Sequence, residues 1–404
     1  MQIKISETHI AQRPIQGKAQ RIFGGIGDIF GIFDIIGNVT VNISNLTLQT
    51  GRSEYGDGGA IRNTTGTLKL TNVHITESEA ANGGAIFNEG ALILNNVILS
   101  ANTAHNLGGG IHNSASGVIT LTDVTFDSNT ALLNGGGLSN AGSTASVSRS
   151  TFSDNDATSG SGGAIYNTAA NGLDLVNTTL SGNQADKGAA IFTEGHIDIT
   201  NATIVKNTDS SAVYALTSLG TVNLKNTILV GNTSGNANVL LNSLGYNIED
   251  GSTAFTANIG DQQNATQFSS TLRPLANNGG LTATHALLSG STAINSGTVD
   301  AAPTVDQRNI LRDTNPDIGA YEFVSSNGPV AIWKTYGSDV PNISEWDGTD
   351  FSTPQTLSSG SNWVIIRAAE ATTRNEKIVV GVDGDGIVSG TMWDGNNWES
   401  LSLG

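Results

Sequence analysis

A short phrase, Gly-Gly-small-Ile-x-Asn, is written six times between residues 58 and 193, and its spacing leaves very few folds open. It stands as Gly58-Gly59-Ala60-Ile61-Arg62-Asn63, begins again at Gly83, Gly108, Gly135 and Gly162, and ends in worn form as Gly188-Ala189-Ala190-Ile191-Phe192-Thr193. Successive starts lie 25, 25, 27, 27 and 26 residues apart. A period of that length marks a repeat protein, in which each unit buries its apolar face by stacking on its neighbours.

Between the phrases runs a second pattern of alternating apolar residues broken by a polar corner, as in Leu92-Ile93-Leu94-Asn95-Asn96-Val97-Ile98-Leu99. Its central apolar residue recurs at Ile43, Leu70, Leu94, Leu121, Val147, Leu175, Ile199 and Leu224. A matching apolar column lies five residues later, from Leu48 and Ile75 through Phe126 and Phe152 to Leu229. Side chains alternate across a strand, so both columns must face a core. Two polar columns are as regular: Asn45, Asn72, Asn96, Asp123, Arg149, Asn177, Asn201 and Asn226 at one corner, and Asn102, Asn129, Asn155, Asn183, Asn207 and Asn232 at another. Asn tolerates the left-handed backbone of a corner, and its amide can bond the unit above and below.

A unit of about 25 residues holds three short strands and no helix of useful length, so strands one unit apart must pair in parallel. The fold class is therefore all-β: a parallel β-helix, right-handed by the usual hand of crossovers. Residues 38–234 make about eight coils, a rod on the order of 40 Å at about 4.8 Å per coil. Residues 1–37 read as an N-terminal capping segment and 235–325 as irregular C-terminal coils and a cap. Within that cap Arg308 is expected to pair with Asp317 or Glu322 over the last coil. Residues 329–404 read as a small antiparallel β module, propeller-blade-like or a sandwich. Its Trp346-Asp347-Gly348 and Trp393-Asp394-Gly395 are two copies of one hairpin phrase 47 residues apart.

Charge excludes some partners. With 18 basic against 35 acidic residues the net charge is -17, which disfavours nucleic acid and anionic membranes. The apolar run 22–39 carries Asp28 and Asp34, so membrane insertion is not expected. With no Cys the chain has neither disulfides nor a thiol nucleophile. No basic-then-apolar leader opens the sequence, so export is expected by another route or from a longer chain.

Three constellations are candidates for function. The first is the outward column of the Gly-Gly phrase, Arg62, Phe87, His112, Ser139, Tyr166 and Phe192, whose aromatic members Phe87, His112, Tyr166 and Phe192 either offer faces for stacking on sugar rings or are ordinary strand residues, covered by a loop or by the N-terminal segment. The second is an acidic corner, Asp127, Asp154, Asp156 and Asp186 with Lys187, where convergent carboxylates would hold calcium and a base would take a proton; a solvated corner is the simpler reading. The third, Asp383-Gly384-Asp385-Gly386, is a turn in which Asp383 and Asp385 are candidate calcium ligands. No other cofactor is expected. His285, Asp306 and Glu322 lack an accompanying nucleophile or metal spacing, which argues against a catalytic set. An outward column at Thr47, Thr125, Thr151, Thr179 and Thr203 invites an ice-binding reading, but His74, Ile98 and Ile228 interrupt it and ordinary strand Thr suffices.

The series Leu244-Gly245-Tyr246-Asn247, Leu272-Arg273-Pro274-Leu275-Ala276-Asn277-Asn278-Gly279-Gly280, Asp306-Gln307-Arg308 and Asp317-Ile318-Gly319-Ala320-Tyr321-Glu322, following Gly-Gly-Ala-Ile-x-Asn coils, resembles the choice-of-anchor Q domain proteins. The coils themselves are similar to the repeats of chlamydial-type polymorphic outer membrane proteins, and the Trp-Asp-Gly phrases to blades of large extracellular bacterial proteins. These resemblances imply an extracellular or bacterial cell-surface protein without an assigned reaction. The expected function is a non-catalytic adhesin-like or structural β-helix that meets a polysaccharide or another surface protein. The alternatives are a carbohydrate-active enzyme, lyase or hydrolase, and a purely architectural stalk.

Overall fold

The computed structural model describes residues 31–324, apart from 170–171, 210–213, 234, 252–253 and 301, together with strands at 3–5 and 15–23 and seven strands between 330 and 402. The chain forms two compact units, Met1–Glu322 and Phe323–Gly404.

The first unit is a parallel β-solenoid built from three sheets of nine, fifteen and seven strands. The eight central apolar residues pair in one unbroken register, from Ile43 opposite Leu70 to Ile199 opposite Leu224. They and the column from Leu48 to Leu229 belong to a single buried core. The strands Ile3–Ile5 and Ile15–Phe23 pair in parallel with Phe33–Ile35 and Thr40–Gln49, so the N-terminal stretch contributes strands to two of the sheets.

Corner chemistry sets the coil. Every residue of the corner column, from Asn45 (φ 58°) through Asp123 (φ 56°) and Arg149 (φ 46°) to Asn226 (φ 49°), lies in the left-handed region that Asn tolerates best among residues with a side chain. The second column forms an inward ladder of fully buried amides. Asn102 donates through Nδ2 to Asn129 Oδ1 at 2.9 Å, Asn129 to Asn155 at 2.9 Å, Asn155 to Asn183 at 2.9 Å and Asn183 to Asn207 at 2.8 Å. The Asn of the Gly-Gly phrase builds another ladder on the opposite side of the coil's turn, from Asn63 through Asn88, Asn113 and Asn140 to Asn167, with spacings of 2.7 to 2.8 Å. Each amide meets partners above and below, which removes the roughly 1–3 kcal/mol penalty of an unsatisfied buried polar group.

The glycines of the phrase are required by two separate constraints. The first of each pair has positive φ, between 61° and 73°. A Cβ on the second would stand 2.1 to 2.4 Å from a carbonyl oxygen of the next coil. The third position co-varies with core volume along the rod: where the core residue is Phe126 or Phe152, the phrase has Gly110 or Gly137, whose Cβ would reach the ring at 2.9 Å. Elsewhere, beside Leu99 or Leu180, it has Ala85 or Ala164. The two Phe rings stack at 4.3 Å and 6° from parallel.

Residues 235–262 finish the stack with short bridges onto Leu216, Thr227 and their neighbours. The stretch that follows corrects the expectation of a cap over the last coil, because residues 280–322 run along one side of the solenoid as a strap. Thr282 donates to Arg149 O, Thr151 to Ala283 O, and Ala320 N donates to Thr203 Oγ1. The charge pairs also differ from expectation: Arg308 pairs with Asp306 at 2.7 Å and Arg312 with Glu322 at 2.9 Å, all four side chains under 10% exposed. Arg308 lies flat over Tyr321, 3.6 Å from the ring centre.

The second unit holds two antiparallel sheets, one of three strands (Val330–Lys334, Pro341–Glu345, Gln355–Thr356) and one of four (Val364–Ala371, Glu376–Val382, Val388–Trp393, Trp398–Ser402). Trp393 pairs with Trp398 across the strands flanking the second Trp-Asp-Gly phrase, as a hairpin requires.

Candidate functional site

The aromatic column is in register but does not present a row of exposed faces. Phe87 pairs with His112 and Tyr166 with Phe192 along the nine-stranded sheet. Phe87 stacks on His112 at 5.5 Å and Tyr166 on Phe192 at 5.5 Å. Phe87 and Phe192 are each 8% exposed and His112 9%. Burial also pushes His112 down to about 4, with Asp57 opposing the shift. Tyr166 alone of the four is partly exposed, and its hydroxyl donates to Glu194 Oε1 at 3.1 Å. Burial and the Glu194 charge raise its pKa.

The carboxylates of the acidic corner feel one another's charge. Asp154 is raised by burial and by the charge of Asp127; Asp156 is raised by burial and by Asp186, against a hydrogen bond from Thr158. Asp127 accepts from Ser153 Oγ at 2.6 Å. Lys187 lies exposed at the end of the strand Gln184–Lys187, in register with Ser161. Among the described residues no group of three or more His, Cys, Asp or Glu is arranged to hold a metal ion. Asp383 and Asp385 lie outside the described residues.

His285 and Asp306 are structural. His285 is 2% exposed and clamped between Arg273 O (2.6 Å from Nδ1) and Ser181 Oγ (2.9 Å from Nε2), and burial lowers its pKa to about 4. Asp306, fully buried, accepts from the backbone N–H groups of Arg308, Ile310 and Glu322.

The feature that sequence reading missed is the face formed by the Thr column and its neighbouring corner column. In the later coils the strap covers it: Asn177 donates to Val305 O, Asn201 to Gly319 O and Asn226 to Thr298 O, while Gln307 joins Thr179 to Thr151. In the earlier coils the same columns line a recess of about 380 Å³ walled by Asn45, Leu46, Thr47, Asn72, Val73, His74, Asn96 and Ile98. Where the two halves meet, a second recess of about 330 Å³ lies between the Asp123–Arg149 pair and Gly279, Gly280 and Leu281 of the strap. Arg149 grips Asp123 with two bonds of 2.8 Å.

Among the described residues no helix is long and apolar enough to cross a membrane. No curated protein and no solved structure matches the chain. Residues 149–168 match the Chlamydia polymorphic membrane protein repeat. That stretch runs from the left-handed corner at Arg149 through the ladder residue Asn155 to the phrase ending at Asn167, which is most of one coil. The chain is thus a parallel β-solenoid, one coil of which, residues 149–168, is similar to the Chlamydia polymorphic membrane protein repeat.

Proposed function

We propose that this chain is a non-catalytic, surface-displayed, adhesin-like solenoid that offers its lateral surfaces to a ligand. The observation that carries this reading is the fate of the regular columns: amide ladders and apolar stacks use them along the rod, which leaves ligand contact to the side chains on its outer faces. The repeat, shared with a membrane protein of the Chlamydia surface, supports display outside the cell. Asp127 stands in register with Ser153, and Asp156 with Thr130 and Gln184, so these acidic residues do not line up on successive coils, which favours this reading over a polysaccharide-cleaving enzyme whose chemistry needs convergent carboxylates.

In its finer form the ligand is a glycan that stacks on the half-buried Tyr166, whose ring Phe192 backs on one side while the small Ser139 is its neighbour in register on the other. The test is a panel of neutral and uronate-rich polysaccharides, with and without calcium, scored for retention of the protein and for new chain ends. Retention without cleavage, weakened at least tenfold by Tyr166→Ala, is expected. New chain ends would overturn the non-catalytic reading, and a protein retained by no polysaccharide would overturn the glycan.

A further inference from the structure

The covered half of the lateral face shows how this face recognises a chain. Its occupant is polypeptide, extended at Thr284–Leu287 and otherwise folded in turns, and separate passes of it are met largely through backbone: corner amides of Asn177, Asn201 and Asn226 donate to carbonyls, and Thr hydroxyls of the next column take a carbonyl or an amide N–H. The contact is complete, since Thr151 and Thr179 are 0% exposed and Thr203 and Ile228 1%. Strand register carries these columns without interruption into the uncovered half, where Thr151 pairs with Thr125, Thr125 with Ile98, Ile98 with His74 and His74 with Thr47. There Asn45 and Asn72 are exposed, and Ile98 is 42% exposed. Asn72 donates to Asn45 at 3.0 Å and Asn96 to Asn72 at 2.8 Å, so the corner amides are already held in line. Pre-ordered donors reduce the entropy lost when a partner docks.

We propose that the open half binds a polypeptide segment of a partner protein, extended along the solenoid axis so that its own carbonyls reach the corner amides that separate passes of the strap reach downstream. The occupant's chemistry follows from the walls. Its carbonyls meet the amides of Asn45, Asn72 and Asn96, and small residues fit between the corner and the sheet as Thr282, Ala283 and Ala320 do downstream. One apolar side chain fills the recess bounded by Leu46, Val73 and Ile98. The open stretch spans three coil spacings, about 14 Å, which four or five extended residues cover. The second recess, at the strap's tip beside Arg149, marks where the incoming segment ends. This mode differs from strand addition at a sheet edge, because the groove lies on the side of the stack and uses corner amides.

The experiment pans a display library of random nonapeptides on the full chain, then measures each enriched peptide by fluorescence anisotropy against wild type and against Ile98→Arg and Thr47→Arg. Both positions are partly exposed, so the variants keep the core, and unchanged thermal melting confirms it. Small-residue peptides are expected to bind with micromolar Kd, to lose at least tenfold in affinity to both variants, and to protect backbone amides of residues 45–98 from hydrogen exchange. Enriched peptides that bind both variants as well as wild type, protection elsewhere on the chain, or a library that yields no binder would each overturn the proposal. Polysaccharide retention through Tyr166 is measured in parallel on Ile98→Arg, and it stays at the wild-type level if that separate reading is correct.

Discussion

The two halves of the lateral face share backbone, register and residue type, yet one is sealed and the other open. Thr179 and Ile98 occupy the same column; the first is inaccessible and the second is 42% exposed. The stack itself therefore does not dictate what a column does. Repeat energetics are set by nearest neighbours, and those are nearly alike in both halves. The difference arises from a segment 72 to 156 residues away in sequence, which makes burial on this face a property of the strap.

The comparison breaks most directly if the strap is released. Arg312→Ala strands Glu322 in a buried site, where Arg312 also donates to Asn177 and Gly319, and is expected to cost about 3–5 kcal/mol. Hydrogen exchange should then rise at Thr151, Thr179 and Thr203 while the inner amide ladders stay protected; loss of both together would mean that strap and rod fold as one unit.

A drop in pH probes the same difference. Folding holds His285 and His112 near 4 against an ordinary value of about 6.5, so the unfolded chain takes up the protons first as pH falls. Stability from each is complete above about pH 6.5 and is lost on the way down to about pH 4, by about 3 kcal/mol per histidine. Urea midpoints at pH 7.5 and 4.5 measure the sum. His285→Gln should remove the strap's share and His112→Gln the rod's.

Gly137→Ala is a control that should not distinguish the halves. Its Cβ would press on Phe152 and on Ala164 O, at an expected cost of about 1–3 kcal/mol, and Phe152→Leu in the same chain should recover part of it. Additive losses in the double-mutant cycle would refute the volume coupling between the two positions.

The smallest effect sharpens the comparison most. Asn72→Ala should cost about 1–2 kcal/mol, the strain of Ala in the left-handed corner. Asn177→Ala, the same corner under the strap, should lose about 1–3 kcal/mol more by abandoning Val305 O and the Arg312 guanidinium. Equal values for the two would show that the strap contributes nothing at that corner.

What could be read from the residues follows the range of the contacts. The columns, the parallel pairing and the corner amides were legible because they repeat every 24 to 28 residues, and a period is visible to inspection. The ladder from Asn63 to Asn167 was present in the repeated phrase and was passed over as part of it. The strap contacts, such as Ser181 with His285 or Thr151 with Gln307, occur once and have no period to betray them. For the same reason alternation leaves Phe87 and Phe192 between open and covered: it tells which way a side chain faces and is silent about how much of it is buried. Arg308 and Arg312 were separable only in space, where Asp306 lies two residues from the first and Glu322 ten from the second.

The strap also bears on how such a rod would carry load. In a stack held by nearest neighbours, a pull on one end detaches coils one after another, each yielding at its own force. From Arg149 to Ile228 the strap ties several coils together through Arg149, Asn177, Ser181, Thr203 and Asn226. Those coils must yield jointly or the strap must tear first. Under tension the molecule would behave as a compliant tip grafted onto a stiff base, and the open face lies on the part that gives.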